Sequence, residues 1–416
     1  MMRFIDRLRL LVLAFAVVPV AAPAQAPPSE HWVRSWTTTL QVPEDRNALP
    51  SADLQDATLR QVVRLTIGSE RLRVRVSNLF GTEPLRVRSV HVARSADPAT
   101  SRIDPATDRA VTFGGRSEIL VPAGADFVSD PVALAAPPMS HLTISMHLPE
   151  APARQTSHPG SRATSYVVHG DHAAAEALPE AQKVVHWYQL AAVDVVAPRE
   201  AEAIVLFGDS ITDGFGVQPD TDTRWPDFLA RRLHADPRTR HLAVLNQGLS
   251  GNRIMRDGLG PNAMARFDRD VLGQPGVRYL IVLIGVNDLG TLTRDAPASP
   301  EAHRQLVADM IGGFAQMVQR ARERGIKAIG ATILPYGPSE YYHPDAANEA
   351  DRQAVNAWIR TPGHFDAVID LDAALRDPAD PTRMAARWDS GDGLHPSIAG
   401  YEAMAAAVDL DLFLEP

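Results

Sequence analysis

The chain has 416 residues, 45% of them hydrophobic and 22% charged, with 41 Lys plus Arg against 50 Asp plus Glu. That much apolar material excludes a disordered chain, and a formal charge of −9 without any block of like charge excludes nucleic acid as the main partner. The absence of cysteine removes disulfides, thiolate nucleophiles, Cys-ligated zinc and lipid attachment to an N-terminal cysteine.

Residues 1–26 read as a signal peptide rather than as part of the fold. Arg3, Arg7 and Arg9 give a positive start, Leu10 to Val18 is apolar, and Ala24-Gln25-Ala26 is a small-x-small cleavage site, with the cut expected after Ala26. The apolar run is broken by Pro19 and Pro23 and falls short of the roughly 20 residues that a membrane span needs. The expectation is a soluble periplasmic or extracellular protein with no stable membrane insertion.

A β-sandwich domain is expected over residues 30–197, where the hydrophobic pattern has a period of two. Leu72, Val74 and Val76 alternate with Arg71, Arg73 and Arg75, so one face is apolar and the arginine row is expected to be solvated. The preceding run Leu59 to Ile67 is expected to join it through a Gly68-Ser69 hairpin turn. Leu142, Ile144, Met146 and Leu148 repeat the alternation, and Pro122, Pro137 and Pro138 argue against long helices nearby. Residues Val195 to Glu202 read as a short linker.

From Ala203 the pattern changes to five short apolar runs: 203–207, 242–245, 279–284, 326–334 and 367–369. Near-continuous apolar runs suit strands covered on both faces. Ser299 as cap, Pro300 at the first position, and Leu306, Met310, Phe314, Met317 and Ala321 on one face mark a helix that stops at Gly325. Strand, helix, strand in this order implies parallel neighbours, so residues 203–414 are expected to form an α/β domain with a central parallel sheet. Ligands of such sheets sit outside the carboxyl ends of the strands.

The loops at those ends carry the residues fit for chemistry. Ser210 lies in Gly208-Asp209-Ser210, a tight turn into a helix where backbone N–H groups gather. Gly251, in the segment 246–252, lacks a β-carbon and lets a backbone amide approach a reacting carbonyl, and Asn287 offers a side-chain amide to the same oxygen. Asp392 and His395 are three residues apart, close enough for the carboxylate to accept the Nδ1 proton and leave Nε2 as a base. Each of these segments also reads as an ordinary turn or cap; their combination, in order along one sheet edge, is what points to a serine nucleophile with its base and oxyanion donors.

Together these residues resemble the SGNH hydrolases, the GDSL esterase family, over Ala203 to about Leu414. The family's Ser, Gly, Asn and His map onto Ser210, Gly251, Asn287 and His395, with Asp392 completing D-x-x-H; Ile211 stands where many members have Leu. The resemblance implies a three-layer sandwich and a serine esterase whose oxyanion hole is the Ser210 N–H, the Gly251 N–H and the Asn287 amide. The β-rich half in front of it resembles exported bacterial esterases of the family. No cofactor and no metal are implied; a cluster of His364, Asp366, Asp370 and His395 has no ligand spacing to support it. Trp388, Tyr341 and Tyr342 are expected to flank the substrate, a small-molecule ester or an acylated glycan. A carbohydrate O-deacetylase and a lysophospholipase-like lipid esterase are the alternatives within catalysis, and a non-catalytic glycan-binding protein is the alternative outside it.

Overall fold

The computed structural model describes residues 30–414, so the leader read at 1–26 lies outside the described residues. The first part of the chain builds two large antiparallel sheets and two small two-stranded ones, Ser157–His158 with Trp187–Tyr188 and Leu85–Val87 with Ile119–Val121. One large sheet is ordered Trp32–Thr37, Leu190–Val196, Ser69–Ser77, Asp126–Val128, with Val132–Ala136 also pairing with Ser69–Ser77. The other is ordered Gln182–Val184, Ser165–His169, Ala57–Arg64, His141–Leu148, Ser89–Arg94, Arg109–Val111. Alternation places Leu72, Val74 and Val76, and likewise Leu142, Ile144 and Met146, in the core.

Two local expectations are corrected. Ala57–Arg64 and Ser69–Ser77 do not form a hairpin; they belong to different sheets, and residues 65–68 cross between them. The crossing is held by Ser35, whose Oγ accepts the backbone N–H of Thr66 and of Ile67, both at 3.1 Å. The arginine row is not simply solvated either. Arg73 donates to buried Asp194 at 3.0 Å and lies over the Trp32 ring at 4.4 Å, and Arg75 stands 3.9 Å from the same carboxylate. Arg34 completes the pairing at 2.7 Å. A carboxylate from the neighbouring strand thus draws two of the three arginines out of water, since a buried charge must be paired.

The second part is a five-stranded parallel sheet ordered Leu242–Gly248, Glu202–Gly208, Val277–Leu283, Lys327–Ala331, Ala367–Ile369. Its helices pack in two groups. Trp225–Ala235 packs with Ile398–Ala406, and Pro300–Glu323 packs with Ala346–Arg360 and Val286–Thr293. Ser299 caps Pro300–Glu323 by accepting the Ala302 N–H at 3.2 Å, as its sequence predicts.

From His31 onward the two parts form one compact unit with one continuous core cluster. Trp32–Thr37 lies against the parallel sheet's edge strand Leu242–Gly248. There the Val244 N–H donates to Thr66 Oγ1 at 3.1 Å, which donates onward to the Ser35 carbonyl at 2.9 Å. Arg34 reaches Gln274 at 2.8 Å. Val33 beside it is fully buried, a contribution of roughly 1.5–3 kcal/mol for a side chain of this kind. Among the described residues no helix is long and apolar enough to cross a membrane.

Candidate active site

Strand Glu202–Gly208 runs straight into the short helix Ser210–Asp213, and Asp209 caps it by accepting the Ile211 N–H at 3.0 Å. Ser210 therefore opens the helix, 6% exposed at the carboxyl end of the sheet. Its Oγ lies 2.9 Å from His395 Nε2, and His395 Nδ1 lies 2.6 Å from Asp392 Oδ2. A carboxylate only accepts, so Nδ1 carries the proton and Nε2 is left to accept from Ser210.

The Asp392 loop is wound around its own carboxylate. Oδ1 accepts the backbone N–H of Leu394 at 2.9 Å and of His395 at 2.8 Å, and the Ser390 hydroxyl at 3.0 Å. Burial alone would raise this acid; the His395 side-chain hydrogen bond and the backbone donors outweigh it and hold Asp392 well below the usual carboxylate range. Phe215, itself 45% exposed, stacks on the imidazole with ring centroids 4.1 Å apart and completes the wall on that side.

Gly251 adopts φ 71°, a left-handed conformation that favours glycine. Asn287 sits in the first turn of Val286–Thr293, and its amide is oriented from both ends. Nδ2 donates to the Asn252 carbonyl at 2.9 Å, and Oδ1 accepts the Tyr342 hydroxyl at 2.6 Å. Ser210, Gly251, Asn287, Asp392 and His395 all line one cavity of about 1280 Å³. The same cavity is also lined by Arg46 from the β-rich part, Arg294 and Arg383.

Of the three aromatic residues expected to flank the substrate, Tyr341 lines the cavity and is 60% exposed. Tyr342 lines the cavity too, but it is buried and its hydroxyl is committed to Asn287. Trp388 does not line the cavity; it packs against the core under Arg387, because the turn that aims His395 inward carries residue 388 away. The His364, Asp366, Asp370 and His395 cluster is not assembled. His364 binds the Trp358 carbonyl, Asp366 pairs with Arg322 and Asp370 with Arg360, and no metal-holding group of three occurs among the described residues.

Several residues that sequence reading missed support the site from below. Arg266 is fully buried and donates to the Gly208 carbonyl at 2.8 Å, the Gln247 carbonyl at 3.0 Å and Asn252 Oδ1 at 2.9 Å, tying two strand ends to the Gly251 loop. Burial lowers its guanidinium to about 10, still charged at neutral pH. Asp209, near Arg266, and Asp288 are also buried; burial pushes both carboxyls up to about 7 against the backbone N–H bonds from Ile211 and Ile254. Arg266 has no motif of its own in the sequence, whereas Asp209 lies in the Gly208-Asp209-Ser210 turn.

Among solved structures the chain is similar to a putative lipolytic protein of the G-D-S-L family from Desulfitobacterium hafniense, at 22% identity and a TM-score of 0.36, over 49% of this chain and 96% of that one. It is also similar to a GDSL-like lipase from Bacteroides thetaiotaomicron, at 20% identity and 0.36, over 50% and 85%. An acetylxylan esterase from Geobacillus stearothermophilus matches at 22% identity and 0.38, over 50% and 91%. No curated protein gives a significant match. Residues 206–403 match the GDSL-like Lipase/Acylhydrolase family, which spans every one of the five residues from Ser210 to His395 described above. Residues 206–403 are therefore a GDSL-like lipase/acylhydrolase domain, which supports a carboxylic ester hydrolase.

Proposed function

We propose that the protein cleaves carboxylic esters through an acyl-enzyme on Ser210. The observation that carries this reading is the unbroken chain Ser210 Oγ, His395 Nε2, His395 Nδ1, Asp392 Oδ2 opening into the cavity. His395 takes the hydroxyl proton as Ser210 Oγ attacks the ester carbonyl, and Asp392 holds the tautomer and stabilises the imidazolium. The tetrahedral oxyanion is received by the Ser210 N–H, the Gly251 N–H and the second hydrogen of Asn287 Nδ2. The C–O bond to the alcohol then breaks as His395 returns its proton to the leaving oxygen. Water, deprotonated by the same imidazole, attacks the acyl-serine and releases the acid with free Ser210.

The substrate reading is an ester whose alcohol is bulky and polar. At about 1280 Å³ the cavity exceeds the roughly 300–1000 Å³ of an ordinary small-molecule site. Its lining offers guanidinium donors from Arg46, Arg294 and Arg383 beside the exposed Tyr341 ring, a combination that suits an acylated glycan better than a lipid tail. The leader-like residues 1–26 support export to the periplasm or medium, where such polymers are met.

Turnover of p-nitrophenyl acetate, followed by acetylated glycans beside lipid esters, tests both levels. Ser210→Ala is expected to abolish hydrolysis with an unchanged melting curve, and a fluorophosphonate should attach to Ser210 alone. Labelling at another serine overturns the nucleophile; faster turnover of long-chain lipid esters than of acetylated glycans overturns the substrate class.

A further inference from the structure

His158 stands in the β-rich part, in the short strand Ser157–His158, 3% exposed and stacked on Trp187 at 5.7 Å. Its Nδ1 lies 2.8 Å from the Thr39 carbonyl and its Nε2 lies 2.9 Å from Asp213 Oδ1. A carbonyl has no proton to give. Asp213 has none either: burial would raise its carboxyl, but the His158 charge and hydrogen bond, with Arg162 and Ser250, hold it below the usual range. Both ring nitrogens therefore face an acceptor, and the ring bridges Thr39 to Asp213.

Asp213 closes the helix that Ser210 opens, and its second oxygen, Oδ2, accepts the Ser250 hydroxyl at 2.6 Å. Ser250 is the residue before Gly251. The carboxylate thus fixes both backbone segments whose N–H groups face the reacting oxygen. Space for it is cut to size: a β-carbon on Gly160, two residues after His158, would lie 2.1 Å from Asp213 Oδ2.

We infer that His158 is a positioning residue for the oxyanion side of the site, acting through Asp213 and Ser250 on the Gly251 loop, so that the β-rich part sets the geometry of catalysis. This rests on the proposed role of the Gly251 N–H. Asp213 Oδ1 is held by His158 while its Oδ2 holds Ser250, so a side chain of the β-rich part orients the carboxylate that orients the Gly251 loop.

The test uses the full chain. Ser250→Ala deletes the last link without touching the contact between the two parts, and His158→Ala deletes the first. Both are expected to lower kcat on p-nitrophenyl acetate by about tenfold to a hundredfold with KM little changed, the cost of a slightly displaced reacting group. Both should also speed amide hydrogen exchange in the peptide spanning residues 246–254. Wild-type kcat in Ser250→Ala, or unchanged exchange in that peptide in Ser250→Ala, overturns the inference, and Ser250→Ala carries the decision if His158→Ala does not fold. The exchange measurement decides the relay even where no ester is turned over, while Ser210→Ala tests the ester reading by itself.

Discussion

The Tyr342 hydroxyl donates a 2.6 Å hydrogen bond to Asn287 Oδ1, and this fixes which end of the Asn287 amide faces the cavity. Without it the oxygen and nitrogen could exchange places and an acceptor would meet the developing oxyanion. Tyr342→Phe should lower kcat by about tenfold, the scale of one hydrogen bond, with KM nearly constant. Steady-state kinetics on a short-chain ester checks it; a Phe variant with wild-type kcat would show that the amide is held by Asn252 alone.

Asn287→Ala should be more severe, because it removes the donor itself. An oxyanion donor acts mainly in the transition state, so kcat should fall by about a hundredfold to a thousandfold while KM stays near its original value. A rise in KM at constant kcat would assign Asn287 to substrate binding instead.

The buried Asp288 gives a pH dependence of stability whose direction is fixed. Its carboxyl titrates at about 7 in the fold but at about 3.9 in an unfolded chain. Between these values the folded state holds a proton that the unfolded state has lost. The contribution of Asp288 to stability is therefore full below about pH 4 and declines as pH rises towards 7. Asp288→Asn keeps an acceptor for the Ile254 N–H and cannot ionise, so its loss of melting temperature between pH 5 and pH 8 should be smaller than the wild type's by a few degrees. Asp209 titrates in the same range and leaves a residual slope. Equal pH slopes in the two proteins would mean that Asp288 is ionised in the fold.

Removing the β-rich part should cost more than a binding module would. Expressed alone, Ala201 to Pro416 loses the partners of Val244, Gln274 and Asp213 and exposes an open sheet edge, which favours aggregation. An insoluble or strongly destabilised fragment is expected, checked by solubility, melting and p-nitrophenyl acetate turnover. A stable fragment with full activity on that ester would contradict this.

Activity should persist in excess chelator, because every step of the proposed reaction is carried by side chains and backbone N–H groups. Loss on chelation and recovery with a divalent ion would reopen the metal question.

What was legible in the sequence follows the range of the interactions. Ser210 after an apolar run, and Asp392 three residues before His395, are local patterns whose geometry is set within one turn, and the structure brings them together. The five parallel strands were legible for the same reason, since a doubly covered strand writes its burial into consecutive residues. The roles of Tyr342, Arg266 and His158 were not, because their partners lie 55, 58 and 55 residues away and nothing near them in the chain marks the contact. Trp388 shows the converse error: closeness to His395 in sequence says nothing about which way a side chain leaves a turn. The arginine row failed similarly, since Asp194, which pairs with Arg73, enters from 121 residues downstream.

Thr39 donates to Gln247 and accepts from Arg266, residues 208 and 227 positions later in the chain. During synthesis the β-rich part leaves the ribosome first, so His158 waits 55 residues for Asp213 and Thr39 waits much longer for its partners. Thr39 therefore lacks them for roughly half of translation. Contacts spanning such distances also close slowly, so the machinery around Ser210 should be the last part of the molecule to reach its final form, and recovery of turnover should lag behind recovery of strand content when the unfolded chain is allowed to refold.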